Sequence, residues 1–207
     1  MNNADRQIIQ LLEENAVLRE KVADLEALVQ CDPLTTSGNR RAFDTALKRE
    51  LERTRRSGYP TCLILLDIDG LKRINDSYGH AAGDACLIEL ARVLASKVRK
   101  LDSVHRIGGD EFAIVLAAST VQDGSIVGQR LQSASLAINY SGELLSFSFS
   151  IGVASADNEG ISVHDSALVP ALVSARRAAI GEVREQLPAH LLAAADEALY
   201  QNKTLTR

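Results

Sequence analysis

Apolar residues recur at alternating three- and four-residue steps near the start of the chain, at Ile8, Leu11, Leu18, Val22, Leu25 and Val29, with Asn15 in the same series. The series is a heptad with Ile8, Asn15, Val22 and Val29 at a and Leu11, Leu18 and Leu25 at d. β-Branched a residues over Leu at d favour a parallel two-stranded coil, and one a-position Asn sets its register. The flanking charges agree, since Glu14 would face Arg19 and Lys21 would face Glu26 across such a dimer. The pattern predicts a dimerisation helix over residues 1–31; the competing assignment is an amphipathic helix packed on its own domain. Asp32-Pro33 ends the helix, because the residue before proline is pushed out of the α region, and a second domain, 32–207, starts there.

Within that domain the period changes repeatedly. Residues 41–56 place Phe43, Leu47 and Leu51 on one helical face. After Gly58 and Pro60, TCLILLDID is a continuous apolar run, as in a strand covered on both sides. A short helix opens at Gly70-Leu71-Lys72, and residues 84–99 repeat the helical spacing, with Asp84 as its N-cap. Strands at about 103–107 and 112–116 flank GGDE as a hairpin, and SFSFSIGVA at 146–154 alternates with period 2. Leu168, Leu172, Ala175, Ala179 and Val183 suggest a further amphipathic helix, whose Arg176, Arg177 and Arg184 form a solvated face. A last helix enters at Pro188 and carries Leu191, Ala195 and Leu199. Helices alternating with strands predict an α/β class with a mixed central sheet that includes one antiparallel hairpin.

Composition narrows the function. With 46% apolar and 24% charged residues among 207, the chain is that of an ordinary globular protein. A net charge of -4 provides no global basic field for nucleic acid, so an anionic ligand must meet local cations or a metal. Cys31, Cys62 and Cys86 have neither disulfide nor zinc spacing, which suggests a reducing, cytoplasmic setting. The longest apolar run, Cys62 to Leu66, is far too short to span a bilayer, so no membrane partner is expected.

The chemistry gathers at two places. Asp67-Ile68-Asp69-Gly70 ends the central strand, where open α/β sheets place ligands. Asp67 and Asp69 point the same way if the strand persists, but a turn at Gly70 would rotate Asp69 aside. RIGGDEFAIVL (106–116) carries Asp110 and Glu111, and a neighbouring hairpin would bring Asp110 close to Asp67. Converging carboxylates repel unless a hard cation lies between them, and Mg²⁺ completed by phosphate oxygens is the common solution. Metal-assisted phosphoryl or nucleotidyl transfer follows. In isolation, adjacent acids in a turn would simply be solvated. The helix start at Gly70 and Leu71, with Lys72, suits phosphates. Asn75 and Asp84 are each ordinary cap or turn residues, yet together they offer an amide and a carboxylate able to read a guanine edge.

DPLT (32–35), NRRAF (39–43), LLDIDGLKRINDSYGHAAGD (65–84), RIGGDEFAIVL, SIGVA (150–154) and ADEALYQNK (195–203) together resemble the GGDEF family of diguanylate cyclases. The resemblance implies a nucleotidyl cyclase, palm-like fold and an enzyme that condenses two GTP into cyclic di-GMP and two pyrophosphates. It implies a divalent metal, Mg²⁺ or Mn²⁺, held by Asp67, the Ile68 carbonyl, Asp110 and Glu111, with Asp110 assisting deprotonation of the 3′-hydroxyl. Gly70, Leu71, Lys72, Lys203 and Arg207 would hold phosphates, and Asn75 and Asp84 would read guanine. Each domain would carry one GTP, so two must meet face to face, an encounter that a coiled-coil homodimer promotes.

Arg99 and Asp102 match the family's RxxD site for inhibitory product; an i,i+3 pair of this kind is by itself an ordinary surface ion pair. The chain departs from the family pattern at TTSG (35–38), at Thr206 in place of Gly, and in the length between Ala154 and Ala194. The alternative function is a silent GGDEF domain serving as a cyclic di-GMP receptor or dimerisation module. Retention of Asp67, Asp110 and Glu111 favours the enzyme.

Overall fold

The computed structural model describes residues 30–164 and 187–205, together with Leu12, Glu14 and Asn15. The chain divides into two compact units, Met1–Cys31 and Asp32–Arg207. In the first, Leu12, Glu14, Asn15 and Gln30 are helical; the heptad assignment otherwise lies outside the described residues. So do the expected helix around 168–183 and the terminal Arg207.

In the second unit, α1 (Arg40–Ser57) begins where the Asn39 side chain accepts from the Ala42 N–H at 3.0 Å and ends at Gly58. Then follow β1 (Thr61–Ile68), α2 (Leu71–Tyr78), α3 (His80–Lys97), β2 (Ser103–Arg106), β3 (Glu111–Leu116), α4 (Val121–Gln132), β4 (Leu136–Tyr140), β5 (Glu143–Phe147), β6 (Phe149–Ala156), β7 (Ile161–His164) and α5 (Leu187–Leu205). The main sheet runs β2-β3-β1-β6-β7 and every strand pair in it is antiparallel; β4 and β5 form a separate ribbon. The expected mixed sheet is therefore corrected. β1 and β2, joined through helices, do run parallel, but β3 lies between them, and β1 separates β3 from β6 in the same way. Alternating helices and strands thus describe the connections here and not the neighbours.

β1 is buried along its whole length because helices cover both faces of the sheet. Cys62, Ile64, Leu66 and Ile68 pack with Leu87, Leu90 and Leu94 of α3 and Leu131 of α4. On the other face, Leu63 and Leu65 meet Phe43, Leu47 and Leu51 of α1 and Leu191, Ala195 and Leu199 of α5. Apolar burial on this scale contributes roughly 25 cal/mol per Å² and dominates the stability. No helix among the described residues is long and apolar enough to cross a membrane.

Two boundaries move. α3 starts at His80, after Gly79 (φ 84°), so Asp84 lies inside the helix and is not its N-cap. Ala81 and Ala82 are strong helix formers and extend it toward the amino end. The run expected as one strand over 146–154 splits at Ser148 into β5 and β6, which belong to different sheets.

Candidate active site

The register of the central hairpin builds the site. β3 pairs with β1 so that Glu111 stands directly opposite Asp67, and the Ile68 N–H donates to the Asp110 carbonyl at 3.2 Å. A ladder bond at Ile68–Asp110 makes Asp67–Glu111 a non-hydrogen-bonded pair, whose Cα atoms approach to about 4.5 Å with side chains on one face. That face is the one carrying Leu63 and Leu65, toward α1 and α5. Asp67 is 8% exposed. The register pairs Glu111 directly with Asp67 and sets Asp110, the next residue, across from Ile68.

Glu111 reaches its position because Gly108 lacks a side chain, since a Cβ there would fall on the Glu111 carboxylate. The turn is closed by the Ile107 N–H, which donates to the Glu111 carbonyl at 2.9 Å. It is also gripped from outside. Arg106 donates through Nη2 and Nε to the Gly109 carbonyl at 2.7 and 3.2 Å, and through Nη1 to Asp32 Oδ1 at 3.2 Å. Asp32 in turn accepts from the Thr35 N–H and hydroxyl at 2.9 and 2.7 Å. Burial works to raise the Asp32 pKa, but these hydrogen bonds and the Arg106 charge outweigh it and hold the carboxyl below its usual range. Sequence reasoning missed this bracket, because Asp32 and Arg106 lie 74 residues apart and no local pattern connects them.

Asp69 leaves the acid group. Its carboxylate accepts from the Ser148 and Ser150 hydroxyls at 2.8 and 2.7 Å, and its N–H donates to the Ser148 carbonyl at 2.9 Å. The break between β5 and β6 is thus tied to the end of β1. Gly70 follows with φ 69°, a conformation glycine adopts freely, and delivers Leu71 and Lys72 as the first residues of α2. The first N–H groups of a helix have no partner within it, and they lie here beside the acids' strand end.

Asn75 on α2 and Asp84 on α3 come from two packed helices. Asp84 is exposed. Asn75 Oδ1 is buried without a hydrogen-bond partner. Lys203 belongs to α5. Among the described residues no three His, Cys, Asp or Glu side chains converge as a metal cluster. The Asp67–Glu111 pair still fits Mg²⁺, which keeps several waters and binds through one or two carboxylates plus substrate phosphates. Like charges directly opposite on one strand pair repel, and a divalent cation is suited to relieve that repulsion.

Arg99 and Asp102 lie elsewhere, between α3 and β2. The Asp102 side chain is 1% exposed and accepts from the Arg99 N–H at 2.9 Å, Arg99 Nε at 3.3 Å and the Ala117 N–H at 3.3 Å. Arg99 is largely exposed and donates through Nη2 to Ser119 Oγ at 2.8 Å. Arg99, Lys100 and Arg92 border a groove of about 590 Å³ that runs to the 35–38 turn. Asp102 therefore acts as the internal organiser of the turn and Arg99 as its accessible cation.

Residues 29–168 match the family described as "Diguanylate cyclase, GGDEF domain". Among curated proteins, the chain is 40% identical over 124 residues to the diguanylate cyclase DgcP of Pseudomonas aeruginosa, covering 59% of this chain and 18% of that protein. It is 38% identical over 159 residues to the diguanylate cyclase DosC of Escherichia coli K12, covering 74% and 33%. The chain thus spans a third or less of the length of these two relatives. Among solved structures, diguanylate cyclase SiaD of Pseudomonas aeruginosa, crystallised with its activator SiaC, superposes with TM-score 0.68 at 31% identity over 97% of this chain and 69% of that one. The coiled coil and GGDEF domain of DgcB from Caulobacter crescentus, in complex with c-di-GMP, shares the fold with TM-score 0.76 at 23% identity over 100% and 97%. With its sheet order, its paired acids and its RIGGDEF hairpin, the chain belongs to the GGDEF domain family of diguanylate cyclases.

Proposed function

We propose that this chain is a diguanylate cyclase that condenses two GTP into cyclic di-GMP with release of two pyrophosphates. The observation that supports it most is the register that sets Glu111 opposite Asp67 at the end of β1, beside the start of α2. Asp67, the Ile68 carbonyl, Asp110 and Glu111 would hold Mg²⁺ or Mn²⁺, which when bound neutralises phosphate charge and polarises the α-phosphoryl group. The N–H groups of Gly70 and Leu71, with Lys72, Lys203 and Arg207, bind the triphosphate. Asn75 and Asp84 orient guanine. Asp110 assists removal of the 3′-hydroxyl proton. Each 3′-oxygen then attacks the α-phosphorus of the GTP on the facing domain and pyrophosphate leaves, so two domains must meet. The N-terminal helix, as a parallel homodimeric coil, raises their effective concentration. Cyclic di-GMP bound at Arg99, in the turn organised by Asp102, provides feedback inhibition.

The test is incubation with GTP and Mg²⁺ and identification of product by mass. Wild type yields cyclic di-GMP, and Asp110→Ala and Glu111→Gln each lower the rate by about 100-fold or more. Wild-type rates in both variants would overturn the site assignment. Absence of product from wild type, with retained binding of cyclic di-GMP, would support the receptor function instead.

A further inference from the structure

Two features where α2 meets α3 are unfavourable for stability taken alone. Gly83 is buried as the fourth residue of α3, where glycine is the least favourable residue after proline. Asn75 keeps a buried amide oxygen without a hydrogen-bond partner, although nearly all buried polar atoms in folded proteins have one. The two are one contact. A Cβ on Gly83 would fall on Asn75 Oδ1, with Asn75 Cγ at 3.0 Å and Nδ2 at 3.4 Å. The amide therefore occupies the space that any other residue at 83 would fill.

We propose that Gly83 is a positioning residue for base selectivity, its missing side chain allowing the Asn75 amide to pack against α3 next to Asp84, where the pair addresses a guanine edge. This rests on the guanine role given above to Asn75 and Asp84 and extends it to a residue that touches no ligand. The atoms in the way of a Cβ belong to the end of one side chain and not to backbone. Substitution at 83 therefore rotates Asn75 out of place and leaves the fold standing. Alanine also favours the helix more than glycine does, so the expected loss is one of recognition and not of stability.

The experiment measures, with the full chain and Mg²⁺, calorimetric binding of 3′-deoxyguanosine triphosphate and 3′-deoxyadenosine triphosphate, which lack the attacking hydroxyl. Gly83→Ala is expected to weaken the guanine nucleotide about tenfold or more, to leave the adenine nucleotide unchanged, and to melt no lower than wild type. In an Asn75→Ala background, adding Gly83→Ala should change nothing further, because no amide remains to displace. Wild-type guanine binding by Gly83→Ala, or a full additional loss in the double variant, would overturn the inference while leaving the guanine assignment intact. Wild-type guanine binding by Asn75→Ala would overturn both. If Gly83→Ala alone fails to fold, the double variant decides: recovery of folding supports the Asn75 contact, and failure there refutes it.

Discussion

Arg106 shows how much positioning one side chain can concentrate. Its guanidinium spans the Gly109 carbonyl and the Asp32 carboxylate, so the turn preceding Asp110 and Glu111 is clamped to the first residues of the domain. Arg106→Gln should lower turnover about 10- to 100-fold through misplacement of the acids, with a smaller change in KM for GTP; steady-state kinetics read the split, and equal wild-type values would dismiss the clamp. His105 makes a different prediction. It is buried against Phe43, with ring centroids 5.9 Å apart, and its Nε2 pairs with Ser103 Oγ at 2.9 Å. Burial, aided by the Arg49 charge, pushes its pKa down to about 4. An unfolded histidine titrates near 6.5. Between about pH 6.5 and 4 the unfolded chain thus binds a proton that the folded chain refuses, and stability falls as pH drops through that window. Across the whole window the loss is somewhat over about 3 kcal/mol, complete stability being present above pH 6.5. Urea unfolding at pH 7 and pH 5 should show it, and His105→Gln should flatten the difference.

At the scale of elements, the approach of α5 to β6 matters most. A Cβ on Gly152 would strike the Ala195 carbonyl and the backbone of Leu199, whose Cα stands 2.9 Å away. Backbone cannot rotate aside as a side chain can. Gly152→Ala should therefore push α5 off the sheet and cost about 3 kcal/mol, measured by urea unfolding; a loss under about 0.5 kcal/mol would contradict the close approach. The contrast with Gly83 is physical: one glycine faces main chain, the other the end of an amide. Element scale is also where Asp69 departs from its neighbour Asp67. The strand alternation that would place both acids on one face ends at Ile68, and the hydroxyls of Ser148, in the β5–β6 break, and Ser150, in β6, hold Asp69.

For the whole molecule, the proposed chemistry requires two domains and a metal. Removal of residues 1–31 should weaken self-association and make turnover per chain depend steeply on protein concentration, because the second domain is no longer tethered nearby. Sedimentation and rate measurements over a concentration series check this, and an unchanged dimer would remove the coil from the mechanism. Chelation with EDTA should abolish product formation and Mg²⁺ should restore it.

The amino-acid sequence by itself determined the local grammar: the helical face of Phe43, Leu47 and Leu51, the buried strand ending in Asp67, the hairpin around GGDE, and the ordered motifs that mark the family. These are short-range periodicities and turn residues, and side-chain patterning over a few residues encodes them. Strand neighbours were decided only in three dimensions, since helical connections place β1 and β2 parallel but leave β3 between them. Register likewise decided that Glu111 is the residue paired directly with Asp67, because a shift of one residue exchanges the faces of a strand. The Arg106–Asp32 clamp and the space that Gly83 leaves for Asn75 also belong to the tertiary structure. Each depends on where two separately encoded elements meet, and nothing in the pattern of either element specifies that distance.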